Sequence, residues 1–125
     1  MYMTQPLSIQ IIARSKPWLI GEHWGVLLPD GRVIHHMPKG VLLEGLDVFL
    51  GGVKRWRVVH VAPEGRYLEI MRRVSQALDQ PPAYHLTERN CETFASWLIG
   101  DTPQSPQVKA FALMGVLAGF LYIAR

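Results

Sequence analysis

The sequence predicts an α+β fold in which an antiparallel sheet packs against helices, and three observations predict it. β-Prone segments crowd the first half of the chain, and segments with helical spacing follow in the second. An Asp-Gly turn also stands between two apolar runs, a strong hairpin signal.

The elements follow in chain order. Met1–Pro6 lacks the basic and long apolar regions of a signal peptide, so a cytoplasmic catalytic domain is expected. Isoleucine-rich Ser8–Ala13 reads as a strand, and a loop through Lys16-Pro17-Trp18 leads to the next. There His23–Leu28 and Arg32–His36 form a hairpin about the turn Pro29-Asp30-Gly31, which returns Ile34–His36 to the level of His23. Leucine- and glycine-rich Pro38–Gly52 is read as a connection that holds a short helix or lines a site. Val53–Val61 supplies another β-prone run. After the punctuation Pro63-Glu64-Gly65, Tyr67, Met71, Val74 and Leu78 recur at helical spacing, and the helix stops before Pro81-Pro82. Asn90 is a good N-cap for a further helix, which carries Cys91, Phe94, Ala95, Leu98 and Ile99 on one face and has Gly100 as its C′ residue.

Beyond this the chain divides by composition into a domain over 1–101, a polar and proline-containing linker over 102–108 and an apolar segment over 109–125. From Ala110 to Ala124 every residue is apolar, aromatic or glycine, between Lys109 and Arg125. A helix of that length spans about 22 Å, short of a hydrocarbon core of about 30 Å. Two readings compete: a buried C-terminal helix, and a short membrane anchor with snorkelling Lys109 and Arg125 and interfacial Tyr122. A helix apolar on every face must be surrounded, and a small domain leaves little protein to surround it.

At 125 residues the chain is one domain, able to bury about two-thirds of its surface without metal or disulfide. Its single cysteine excludes an intramolecular disulfide and suits a reducing compartment. The net charge of +3 and pI near 9.3 are mildly basic. Lys54, Arg55 and Arg57, and Arg72-Arg73, read as solvated faces, with an anionic membrane surface as the alternative. Neither a phosphate-binding glycine loop nor a close ligand pair such as Cys-x-x-Cys is present, so no cofactor, metal or nucleic acid is expected.

The chemistry concentrates on Cys91 and the histidines. Cys91 falls where a loop runs into the first turn of a helix, where unpaired N–H groups and the helix dipole lower a thiol pKa from about 8.5. His23 stands at the head of one hairpin strand, and His35 and His36 end the other. A lone cysteine with a base and an orienting residue elsewhere is the arrangement of a thiol nucleophile. Successive side chains of a strand point to opposite faces, so His35 and His36 cannot both serve one site. Parity alone does not choose between them.

Glu22-His23-Trp24-Gly25-Val26, Val33-Ile34-His35 and Asn90-Cys91-Glu92-Thr93-Phe94 together resemble, in order and spacing, the lecithin:retinol acyltransferase-like family, a circularly permuted branch of the NlpC-type papain-like hydrolases. The resemblance runs from roughly Ile9 to Gly100. One departure is plain: Thr93 stands where many members carry histidine, and the resulting Asn-Cys-x-Thr-Phe box also resembles permuted isopeptidase-like relatives. The resemblance implies a permuted papain-like fold with Cys91 as nucleophile, His23 as its general base and His35 as the residue that orients His23. It further implies a thiol acyltransferase or phospholipase that acts on lipid acyl esters through an acyl-thioester, at a membrane reached through the C-terminal apolar helix. The alternatives are a cysteine peptidase or amidase, and a catalytically silent, membrane-associated interaction module. The Cys91 backbone N–H is the natural oxyanion donor.

Overall fold

The structure, a computed structural model, describes residues 8–16, 21–84 and 90–100. Five strands form one antiparallel sheet: β1 (Gln10–Ser15), β2 (Glu22–Leu27), β3 (Arg32–Met37), β4 (Gly40–Gly45) and β5 (Trp56–Val61). Their spatial order is β4-β3-β2-β1-β5. A short helix, α1 (Leu46–Leu50), follows β4, and α2 (Tyr67–Asp79) and α3 (Cys91–Ile99) follow β5. The α+β class and the antiparallel sheet agree with the expectation from sequence. The segments 102–108 and 109–125, and with them both readings of the apolar tail, lie outside the described residues, as do Met1–Pro6 and His85. Among the described residues no helix is long and apolar enough to cross a membrane.

The hairpin forms as its turn chemistry dictates. Gly31 has φ +88°, a left-handed conformation that glycine adopts without a Cβ penalty, and the Leu28 N–H donates to the Arg32 carbonyl across the turn. Pro38–Gly52 is more regular than a connection: it contains β4, which pairs with β3 from Arg32–Gly45 to Met37–Gly40, and then α1. Four of the six residues of Gly40-Val41-Leu42-Leu43-Glu44-Gly45 are apolar or carboxylate with no period-2 alternation, and its ends are glycine; pairing with β3 overrides weak local propensity. In α2 the buried stripe is Ile70, Val74 and Ala77, with Tyr67 partly buried, whereas Met71 and Leu78 are exposed. The helix is thus rotated from the face that the leucine and methionine spacing suggests. Tyr67 helps set that rotation, since its hydroxyl accepts the Ile9 N–H at 3.1 Å.

The two faces of the sheet carry different cores. Ile11, Ala13, Trp24, Val26 and Ile34 face a large cluster with Ile70 and Val74 of α2 and Phe94, Ala95 and Leu98 of α3. Complete burial of a side chain such as Leu98 contributes about 1.5–3 kcal/mol. The opposite face holds a smaller cluster of Ile12, Val33 and Phe49. Gly25 opens the second face to Phe49: a Cβ there would stand 2.6 Å from Val33 Cγ1 and 2.9 Å from Phe49 Cε1.

The pairing of β2 with its neighbours positions the site. β2 stays in register with β1 along its length, from Gln10–Leu27 to Ser15–Glu22, and β3 stays with β4. Between β2 and β3, by contrast, pairing is confined to Val26–Ile34 and Leu27–Val33. The sheet therefore opens between these two strands toward His23, and α3 packs against both of them.

Candidate active site

Each candidate side chain is placed by one of these elements. In α3, Asn90 is the N-cap: its Oδ1 accepts the N–H groups of Glu92 and Thr93, each at 3.0 Å. Thr93 closes the box, its Oγ1 accepting the Asn90 N–H at 2.9 Å and donating to the Asn90 carbonyl. The residue that departs from the family pattern thus caps the helix that carries the cysteine. Gly100, at φ +108°, ends the helix as expected. Cys91 occupies the first helical position, 5 % exposed, and the cap engages the two N–H groups after it rather than its own.

The opening in the sheet brings β2 to the Cys91 sulfur. The Lys16 N–H donates to the Gly21 carbonyl, so alternation along the antiparallel ladder makes Arg14–His23 a hydrogen-bonded pair and turns the Trp24 N–H away from β1. Were β2 and β3 paired throughout, that N–H would serve the ladder; where they separate, it lies close enough to Cys91 to favour a thiolate. Burial outweighs it and pushes the Cys91 thiol up from its ordinary value. This corrects the expectation of a lowered pKa. The dipole and N–H groups are present at the N-terminus of α3, but the loss of hydration around a buried sulfur is larger.

The histidines assort by parity. His23 and His35 lie on the Phe49 face, where Phe49 stacks on His23 at a centroid distance of 5.6 Å and meets His35 edge-on at 4.9 Å. The two imidazoles are joined, His23 Nε2 lying 2.8 Å from His35 Nδ1. His36 points the other way, between Phe94 and Tyr84, with its Nε2 donating to the Pro82 carbonyl at 3.0 Å. The structure therefore brings His35, and not His36, to His23, and it places Cys91 beside the backbone of the residue after His23. His60 is exposed.

Sequence reasoning missed three neighbours of the pair. Glu44 of β4 places Oε2 3.0 Å from His35 Nε2, Phe49 of α1 walls both rings, and Arg14 of β1 holds its guanidinium 5.3 Å from the Phe49 centroid. Each is visible only once strand pairing is known. Burial first, then His35, Arg14 and Lys16, push the His23 pKa down to about 3. Burial lowers that of His35 too, against the opposing pull of Glu44, and burial lowers that of His36 against the Pro82 carbonyl.

With Glu44 as a carboxylate it can only accept, so His35 carries its proton on Nε2 and presents a bare Nδ1. His23 then donates from Nε2, and its Nδ1 is the bare nitrogen. His23 is thus a neutral imidazole with an unprotonated Nδ1, one residue before Trp24, whose N–H lies close to the Cys91 sulfur at the N-terminus of α3.

The sequence model of the lecithin retinol acyltransferase family matches residues 9–104. The chain belongs to that family. The match covers all five strands and the three helices, and with them Cys91, His23 and His35. No curated protein and no solved structure gives a match. Membership of the lecithin retinol acyltransferase family points to thiol-dependent acyltransferase or hydrolase chemistry.

Proposed function

We propose that this chain is a thiol acyltransferase or phospholipase acting on lipid acyl esters, with Cys91 as nucleophile, His23 as general base and His35 orienting His23. The histidine strands precede the cysteine helix, the order expected of a permuted papain-like hydrolase. One observation carries the reading: the hydrogen-bonded pair His23–His35 stands on β2 and β3 where these strands part, and the Cys91 sulfur faces the β2 backbone at Trp24 in that opening.

The reaction runs from a neutral pair. Cys91 Sγ attacks the ester carbonyl as its proton passes to His23 Nδ1, and the Trp24 N–H and the α3 dipole stabilise the charge as it develops on sulfur. The Cys91 N–H donates to the oxyanion. The imidazolium then protonates the departing alkoxide, which leaves an acyl-thioester. Water, or the hydroxyl or amine of a second lipid, gives its proton to His23 Nδ1, attacks the thioester and restores the thiol. The apolar segment 109–125 delivers the domain to the lipid surface.

Incubation of the full chain with phospholipid vesicles is expected to release fatty acid or form a new acyl-lipid, with a transient acyl group on Cys91 that hydroxylamine removes. Cys91→Ala is expected to abolish both. Cleavage of peptide or isopeptide substrates alone would make the protein an amidase of the same superfamily, and retention of vesicle binding by both proteins without turnover would make it a silent interaction module.

A further inference from the structure

Glu44 stands at the end of a line of polar atoms that the catalytic assignment does not use. His23 and His35 are 6 % and 3 % exposed, whereas the Glu44 side chain is 29 % exposed, so the line runs from the buried pair toward solvent. The register explains the contact. Glu44 lies opposite Val33 on β4, two residues along from Leu42, the direct partner of His35. Both Glu44 and His35 therefore face the Phe49 side, and a glutamate is long enough to reach the ring diagonally.

We infer that Glu44 is a positioning residue that fixes the order of protons along the imidazole pair. Two orders satisfy the contact between His23 Nε2 and His35 Nδ1 equally well. In one, His23 donates and its Nδ1 is bare; in the other, His35 donates from Nδ1 and His23 carries its proton on Nδ1, where it cannot take one from Cys91. The contact between the imidazoles is the same in both, so it cannot choose. The carboxylate chooses, because it accepts only, and it demands the proton on His35 Nε2 at 3.0 Å. Phe49 packs on both rings and offers neither order a polar partner. The negative charge also favours the imidazolium that forms when His23 takes the thiol proton.

The inference rests on the proposed roles of Cys91 and His23 for its kinetic consequence, but not for its physical content, so two readouts separate them. In ¹⁵N-labelled wild-type protein at neutral pH, the imidazole signals of His23 and His35 are expected to show both rings protonated at Nε2 and bare at Nδ1. In Glu44→Ala a second set, protonated at Nδ1, is expected to appear on both rings, with the amide spectrum otherwise preserved. Glu44→Gln, whose amide can turn to accept from Nε2–H or to donate to a bare Nε2, no longer imposes one order and is expected to show both sets as well. In vesicle turnover, kcat of Glu44→Ala is expected to fall about tenfold or more with KM unchanged, since Glu44 orients the base without reaching substrate, and Glu44→Gln, which admits both orders and lacks the charge, is expected to lose activity too. Unchanged tautomers in Glu44→Ala overturn the inference whatever the activity. Wild-type tautomers as described, in a protein without turnover, overturn the proposed reaction and leave the proton order standing.

Discussion

His23 is neutral at rest because burial holds its pKa near 3, and Cys91 is neutral because burial raises its own. The pair thus begins as thiol and imidazole rather than as a preformed thiolate–imidazolium. Alkylation of the folded protein by a small neutral electrophile is therefore expected to be slow at neutral pH and to accelerate only as the pH rises above the usual thiol range; Cys91→Ala should remove it. Rapid labelling that does not change between pH 5 and 8 would show a preformed thiolate and overturn the neutral resting state. Turnover should be more sensitive to the base than labelling is. His23→Ala is expected to lose about 10²–10⁴ in kcat, the scale of general base catalysis, and to fall near the Cys91→Ala level because nucleophile and base act as one unit. His35→Ala should lose less. His36→Ala, which frees the Pro82 carbonyl and leaves a gap beside Phe94, is expected to lower Tm and to spare kcat.

At the scale of elements, the hairpin and the cysteine helix are the framework, and Gly25 is where they can be tested. A Cβ at Gly25 collides with Val33 and with the Phe49 ring that walls both imidazoles. Gly25→Ala is expected to cost about 1–3 kcal/mol of stability through overpacking, and also to depress kcat because the ring can yield only against the histidines. Gly31→Ala is the control. Its Cβ has open space but its φ is +88°, so denaturant melts should show a stability loss without a kinetic one. Equal kinetic losses in the two variants would mean that Phe49 does not hold the pair. The contrast also indicates what was legible in the sequence. The Asp-Gly turn and the Asn90 cap depend on residues adjacent in the chain, so the hairpin and α3 could be read directly, whereas the choice of His35 over His36 rests on the family resemblance and not on strand parity. β4 and Glu44 could not, because a glutamate in a leucine-rich run looks like any solvated charge until β4 pairs with β3. The opening between β2 and β3 is likewise a matter of register, and the raised thiol pKa a matter of burial; neither has a local signature. On α2, Ile70 and Ala77 rather than Met71 and Leu78 face inward for the same reason, since the contact that helps set the rotation, Tyr67 to the Ile9 N–H, spans residues far apart in sequence.

For the whole molecule, three buried histidines make folding depend on pH in a window that carboxylates leave clear. His23, His35 and His36 all have pKa values lowered by burial, so in the folded state they remain neutral where the unfolded chain takes up protons. The sign follows from linkage: the unfolded state binds more protons below about 6.5, so stability contributed by these groups is complete above that pH. It is lost as the pH falls, for His23 until about 3, where the folded ring protonates as well. Glu22, Asp30 and Glu69 have pKa values lowered mainly by arginine partners or the Arg32 N–H, and as carboxylates they begin to lose stability only near and below pH 4.5. Between about 6.5 and 4.5 the slope therefore belongs to imidazole, at about 1.4 kcal/mol per pH unit for each ring that stays neutral. Urea melts across this interval are expected to show a midpoint that falls steadily with pH at constant m-value, and His23→Gln is expected to reduce the slope by about one ring's share. A midpoint independent of pH from 6.5 to 4.5 would mean that the rings are hydrated in solution, and with that the dry Phe49-walled pair from which the neutral mechanism starts would be lost.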